Sequence, residues 1–148
     1  MSDMYVFNLP MMGRPFLQQV IQAKDIHKDK VGVLECLQEI VGGLVHKVDV
    51  KKMGLVIHGM FCENEKWRIA NQLLCNQYAK VYINDNGLNE CGGNMAIIVL
   101  NAAYRVGGCP HLMGNVAITI SQKVYEKICN KPLNYWIREE EEEDEDDE

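Results

Sequence analysis

The spacing of apolar positions along the chain changes several times, and each change marks a boundary between elements. Tyr5-Val6-Phe7-Asn8-Leu9 alternates with the period of two expected of a strand, and Pro10 and Gly13 close it. From Arg14 to Lys24 the spacing widens: Phe16, Val20 and Ala23 recur at helical intervals, and Pro15 suits a first-turn position. A second helix is predicted over 30–41, with Asp29 as N-cap and Val31, Leu34, Leu37, Ile40 and Val41 as its apolar stripe. Gly42-Gly43 stops it, because glycine enters the left-handed cap conformation without a Cβ penalty.

Strand alternation returns over 44–50, with Leu44, His46, Val48 and Val50 on one face and Val45, Lys47 and Asp49 on the other. After the turn Lys51-Lys52-Met53-Gly54, residues 55–61 form a second β-rich run, and the two are expected to pair as a hairpin. Asn64 caps a helix predicted to reach Tyr78, with Trp67, Ala70, Leu73 and Leu74 along one side. Residues 80–84 form a strand ended by the turn Asp85-Asn86-Gly87. The length and alanine content of 94–105 predict a buried helix, broken by Gly107-Gly108 and Pro110. A strand over 116–120 and a helix over 122–129 complete the series. The interleaving predicts one α+β domain over 1–138: a small mixed or antiparallel sheet with helices packed mainly on one face.

Composition supports one core and little else. At 148 residues and 47% hydrophobic content, the chain holds a single domain of ordinary make-up. No apolar run approaches the ~18–20 residues that cross a bilayer. Met1-Ser2-Asp3-Met4 lacks a basic segment followed by an apolar one, so an intracellular location, host cytoplasm or nucleus, is expected rather than secretion. The six cysteines, at 36, 62, 75, 91, 109 and 129, form no CxxC pair and read as reduced thiols, with Cys36 and Cys75 acting as small hydrophobes in helices.

Charge changes the picture more. The net charge of −6 conceals a segregation: residues 139–148 are all Glu or Asp and carry −10, whereas the other 138 residues hold all 15 Lys and Arg against 11 acids, about +4. Such an acidic run repels itself and buries no apolar area, so it is expected to be a disordered tail. It can act as a solubiliser, fold back on the helix bearing Lys123, or engage a basic partner such as a histone.

Leu37-Gln38-Glu39-Ile40-Val41-Gly42-Gly43, then Tyr82-Ile83-Asn84-Asp85-Asn86-Gly87-Leu88, then Asn94 and Gly114-Asn115-Val116-Ala117-Ile118 form an ordered set of motifs. That order resembles a small uncharacterised family of phages, mobile elements and large DNA viruses, domain of unknown function 3846. The family pattern is LQ-x-x-VGG, then N-E-x-G-L, then an Asn-led helix, then G-N-V. The resemblance covers about 33–120. Asp85 replaces the usual Glu, and a longer insert holds the Trp67 helix. It implies a viral or phage-like origin and brings no catalytic residues with it.

Candidate chemistry is sparse. Asn84, Asp85 and Asn94 can line a polar pocket where strand ends meet a helix N-terminus, a setting for an anionic or nucleotide-like ligand. The alternative is structural: helix stop, turn, cap and strand start. His58, Cys62, Cys109 and His111 are zinc-ligand types without the spacing of a standard zinc module. A Cys–His pair such as Cys109 with His111 or His58 is a nucleophile–base candidate, whereas G-x-S-x-G, P-loop and G-x-G-x-x-G patterns are all lacking. Lys123, Lys127 and Lys131 recur every four residues, as a phosphate-contacting helix face would. The expectation is a non-enzymatic viral accessory module that needs no cofactor and binds a host protein or a small ligand, not a membrane; it can form a homodimer. A nucleic-acid-associated protein with a regulatory tail, or a Cys/His- or zinc-dependent enzyme, are the alternatives.

Overall fold

In the computed structural model of the protein, the residues described are 3–22, 30–48, 55–57, 63–86, 94, 97–99 and 114–136. Met4–Leu9 (β1) turns back through Gly13, which sits at φ +109°, into Phe16–Ile21 (β2). Lys30–Val41 (α1) leads to Val45–Val48 (β3) and Leu55–Ile57 (β4). Glu65–Leu74 (α2) precedes Lys80–Asn84 (β5) and Ile97–Val99 (β6). Val116–Ser121 (β7) runs directly into Gln122–Ile128 (α3), and a single 3-10 turn covers Leu133–Trp136.

Five strands form an antiparallel sheet in the order β2-β1-β7-β5-β3, and β4 and β6 form a separate antiparallel pair. Successive side chains of a strand point to opposite faces, and here both faces are apolar. On one face Tyr5, Phe7, Val81, Ile83, Val116, Ile118 and Ile120 pack with Trp67, Leu73 and Leu74 of α2, with Tyr125 of α3 and with Trp136. On the other, Val6 and Ala117 pack with Cys36, Leu37, Ile40 and Val41 of α1. The fold is therefore α+β with an antiparallel sheet, two of its three described helices sharing one face. Among the described residues no helix is long and apolar enough to cross a membrane.

Local signals explain the helix ends. The Asn64 side chain accepts from the Lys66 amide, as an N-cap does, and Glu65 places a negative charge in the first turn. Ser121 caps α3 through Val124 N–H at 3.3 Å. Each ties off a backbone donor that the first helical turn leaves without a partner.

Several expectations are corrected. Residues 16–21 form a strand, not part of a helix. β2 shifts register against β1 between Val6 and Phe7, where Gln19 and Leu17 are the respective partners. The extra residue, Gln18, breaks the period of two. Leu17 and Val20, three apart, then pack on one face, a spacing that imitates a helix. β3 and β4 do not form a hairpin: β3 pairs with β5, and Ile57 of β4 donates its N–H to Asn71 of α2 at 3.0 Å. Ile97–Val99 is a strand within the segment predicted helical, as three consecutive β-branched residues favour. The stripe of α1 is rotated, leaving Leu34 45% exposed and Cys36 buried. α2 stops at Leu74, and Tyr78, 64% exposed, donates its N–H to the Asn76 side chain instead of extending the helix. Cys75 is exposed just beyond that helix, not buried as a small hydrophobe. Asp29, Val50, Gly54, Gly87 and Pro110 lie outside the described residues.

One buried hydroxyl organises the larger core. Tyr125 Oη accepts from Trp136 Nε1 at 2.7 Å, is contacted by Cys129 Sγ at 3.4 Å, and donates to the Lys131 carbonyl at 3.1 Å. Burial, foremost, pushes its pKa far above the ordinary tyrosine value. Tyr125→Phe keeps the ring's contacts with Tyr5 and Phe7 but orphans the indole N–H. A loss of about 1–3 kcal/mol in urea unfolding is expected, the cost of a buried donor without its acceptor.

Candidate functional site

The motif residues assemble at one end of the sheet, where β1 and β5 finish and β3 and β7 begin. α1 arrives there by its C-terminus. An α-helix leaves its last four carbonyls without intrahelical partners, and this end is closed in two ways. Gly42, at φ +80°, turns the backbone so that Gly42 and Gly43 both donate to Gln38 O, at 2.8 and 3.1 Å. The last two carbonyls are met by side-chain amides: Asn115 Nδ2 donates to Ile40 O at 3.2 Å and Asn84 Nδ2 to Val41 O at 3.1 Å.

The second glycine has a different task. A Cβ at Gly43 would lie 2.8 Å from Asn84 Nδ2, so only glycine admits that amide. Asn84, 3% exposed, also accepts from Asn86 N–H at 2.7 Å, which holds the turn leaving β5. Asn115 Oδ1 accepts from Met11 N–H at 2.9 Å, tying the β1–β2 turn to the same place. Asn94, 8% exposed, directs its amide at the carbonyls of Leu9, Pro10 and Gly114, at 3.0, 3.3 and 3.1 Å.

Asn84 and Asn94 thus flank Asn115 at one sheet end and act as staples between chain segments. Asn94 does not cap a helix among the described residues: its carbonyl accepts from Ile97, the first residue of β6. The helix end that meets the Asn84 and Asn115 amides is a C-terminus, whose partial charge is negative. The helix N-terminus expected beside Asn94 falls on a segment of which only 94 and 97–99 are among the described residues. Asp85 stands apart, exposed, with its carboxylate 3.7 Å from His46 Nδ1. The amides offer neither a nucleophile nor a titratable group, so the arrangement holds structure rather than performing acid–base chemistry.

The other candidates separate. His58, Cys62, Cys109 and His111 lie outside the described residues. Among the described residues no group of three or more His, Cys, Asp and Glu is placed to hold a metal ion. Lys123 and Lys127 are exposed on α3, but α3 ends at Ile128, so Lys131 does not continue their helical row. Lys131 Nζ instead sits 3.2 Å from Glu65 Oε2 and 5.1 Å from the centre of the Tyr135 ring. Tyr135 donates its hydroxyl to Glu65 Oε1 at 2.9 Å. That bond, then Lys131, holds the Glu65 carboxyl below its usual range, while burial and the bond to Glu65 push Tyr135 up to about 12. The sequence carried no signal for this cluster, because Glu65 and Tyr135 are 70 positions apart. Asn115 was visible only as the start of a strand.

Two outcomes are expected. Asn84→Asp replaces a donor by a carboxylate facing the Val41 carbonyl, which raises the new acid's pKa in the folded state. Stability should be nearest to the parent's below the unfolded Asp value and fall as pH rises through the folded value, by about 2 kcal/mol or more at neutral pH. Urea unfolding at several pH values measures it. Tyr135→Phe should move the Glu65 carboxyl back up toward the ordinary glutamate range, read from its side-chain carbon resonance in an acid titration.

No protein-family model, no curated protein and no solved structure matches the chain.

Proposed function

We propose that the chain is a non-enzymatic binding module, an accessory protein of viral or phage-like origin, whose acidic run captures a basic host protein. The observation that carries the reading is the segregation of charge: −10 on ten contiguous residues against about +4 on the remaining 138. Ten neighbouring carboxylates approach the charge density of a nucleic-acid backbone, so they suit the lysine- and arginine-rich surfaces that otherwise bind phosphate. The amides of Asn84, Asn94 and Asn115 support it indirectly, since their hydrogen bonds are spent on holding chain segments together. The body then serves as a stable carrier, and recognition is electrostatic.

The test compares the parent chain with one in which the ten acids are replaced by Gln and Asn. Binding to a fluorescent decalysine peptide and to purified core histones is followed by anisotropy across a salt series. The parent should bind at least ~10-fold more tightly at 0.1 M salt, with the difference collapsing toward 0.5 M as screening shortens the range of the charges. Equal affinities would remove the acidic run from any role in partner capture.

A further inference from the structure

The acidic run begins three residues after Trp136, so where Trp136 is held decides which surface the carboxylates meet first. Trp136 is held firmly. It is 1% exposed, donates to Tyr125 Oη at 2.7 Å, and sets its ring edge-on to Phe7 with centroids 5.1 Å apart. Its neighbour Tyr135 lies on the surface between two ammonium groups, Lys66 Nζ at 5.2 Å and Lys131 Nζ at 5.1 Å from the ring centre. Tyr135 and Trp136, the last described residues before the run, are therefore rooted beside cations.

The charges around this root are uneven. α2, α3 and the residues flanking them carry Lys66, Arg68, Lys123, Lys127 and Lys131 against Glu63, Glu65 and Glu126. Five cations against three acids leave this set at about +2, with Lys131 and Glu65 paired at 3.2 Å and Glu126 accepting from the uncharged Gln122 amide at 3.1 Å. Arg68, Lys123 and Lys127 are exposed. On the opposite face of the sheet, α1 presents Glu35 and Glu39 to solvent, which would repel the run.

We propose that the face formed by α2, α3 and the 3-10 turn is a docking surface for the chain's own acidic run, residues 139–148. The run is held there in cis until a basic partner competes for it. Ten residues extend to about 33–36 Å, enough to cover two short helices from the Trp136 anchor. Tethering supplies an effective concentration in the millimolar range, so individually weak surface pairs suffice. The consequence is selectivity: only a partner with a denser positive charge than this face displaces it. This rests on the reading of the acidic run as the partner-binding segment.

Two measurements on the complete chain test it. In the first, isotope-labelled parent is compared with the chain carrying Gln and Asn at 139–148. Amide shift differences should concentrate on α2, α3 and the 3-10 turn and vanish in 0.5 M salt. Differences that are absent, or that fall equally on α1, overturn the proposal, and no substitution in the folded body is needed. In the second, decalysine affinity is measured for Lys66→Glu with Lys127→Glu, and for a control pair on other surfaces, Arg14→Glu with Lys47→Glu. Both pairs change net charge equally. Release from the docking face should tighten binding at least ~3-fold beyond the control pair; an equal effect in both pairs overturns the proposal. Localised shifts in a chain that does not bind decalysine would support the cis contact and sink the partner-binding reading instead.

Discussion

The joint between the end of α1 and the end of the sheet is made by two side-chain amides on two helix carbonyls, and the α1 face of the protein depends on it. Asn84 and Asn115 take up the carbonyls of Val41 and Ile40 that the helix itself cannot satisfy. Because Asn84 ends β5 and Asn115 precedes β7, the bonds set α1 against the middle of the sheet. Cys36, Leu37, Ile40 and Val41 are then buried against Val6 and Ala117. Gly43 is the condition for this arrangement, since a Cβ there would occupy the place of the Asn84 amide.

The opposite face is built on different terms. It is dense with aromatic rings, and its polar atoms are few and shared: one tyrosine hydroxyl serves Trp136, Cys129 and Lys131. Trp136, the last of the described residues, is buried there, three positions before the acidic run. The two faces differ in charge as well, with five basic against three acidic residues on and beside α2 and α3, and Glu35 and Glu39 exposed on α1.

Part of the candidate site was legible in the chain and part was not. Gly42-Gly43 as a helix stop, Asn84-Asp85-Asn86 as a turn and Asn64 as a cap are local events, settled within four or five residues, and the structure has all of them. That Asn84 reaches across 43 positions to Val41, and Asn94 across 85 to Leu9, could not be read, because no local pattern records which distant carbonyl lacks a donor. The lysine row failed for a related reason. Its period of four was real, but the helix that would have expressed it stops at Ile128, and Lys131 found Glu65.

The sequence by itself determined the strands β1, β5 and β7, the helices α1, α2 and α3 and the separation of charge, because periodicity, capping and composition are short-range properties. Tertiary structure alone decided that 16–21 would be a strand, since an edge position beside β1 and a bulge outweigh a weak helical spacing. It also decided that β3 would join β5 rather than β4, since pairing is chosen by which edges meet once both faces of the sheet are covered. And it decided what the asparagines do: an amide has no preference of its own between ligand and backbone, and the carbonyls of α1 and the β1 end were nearest.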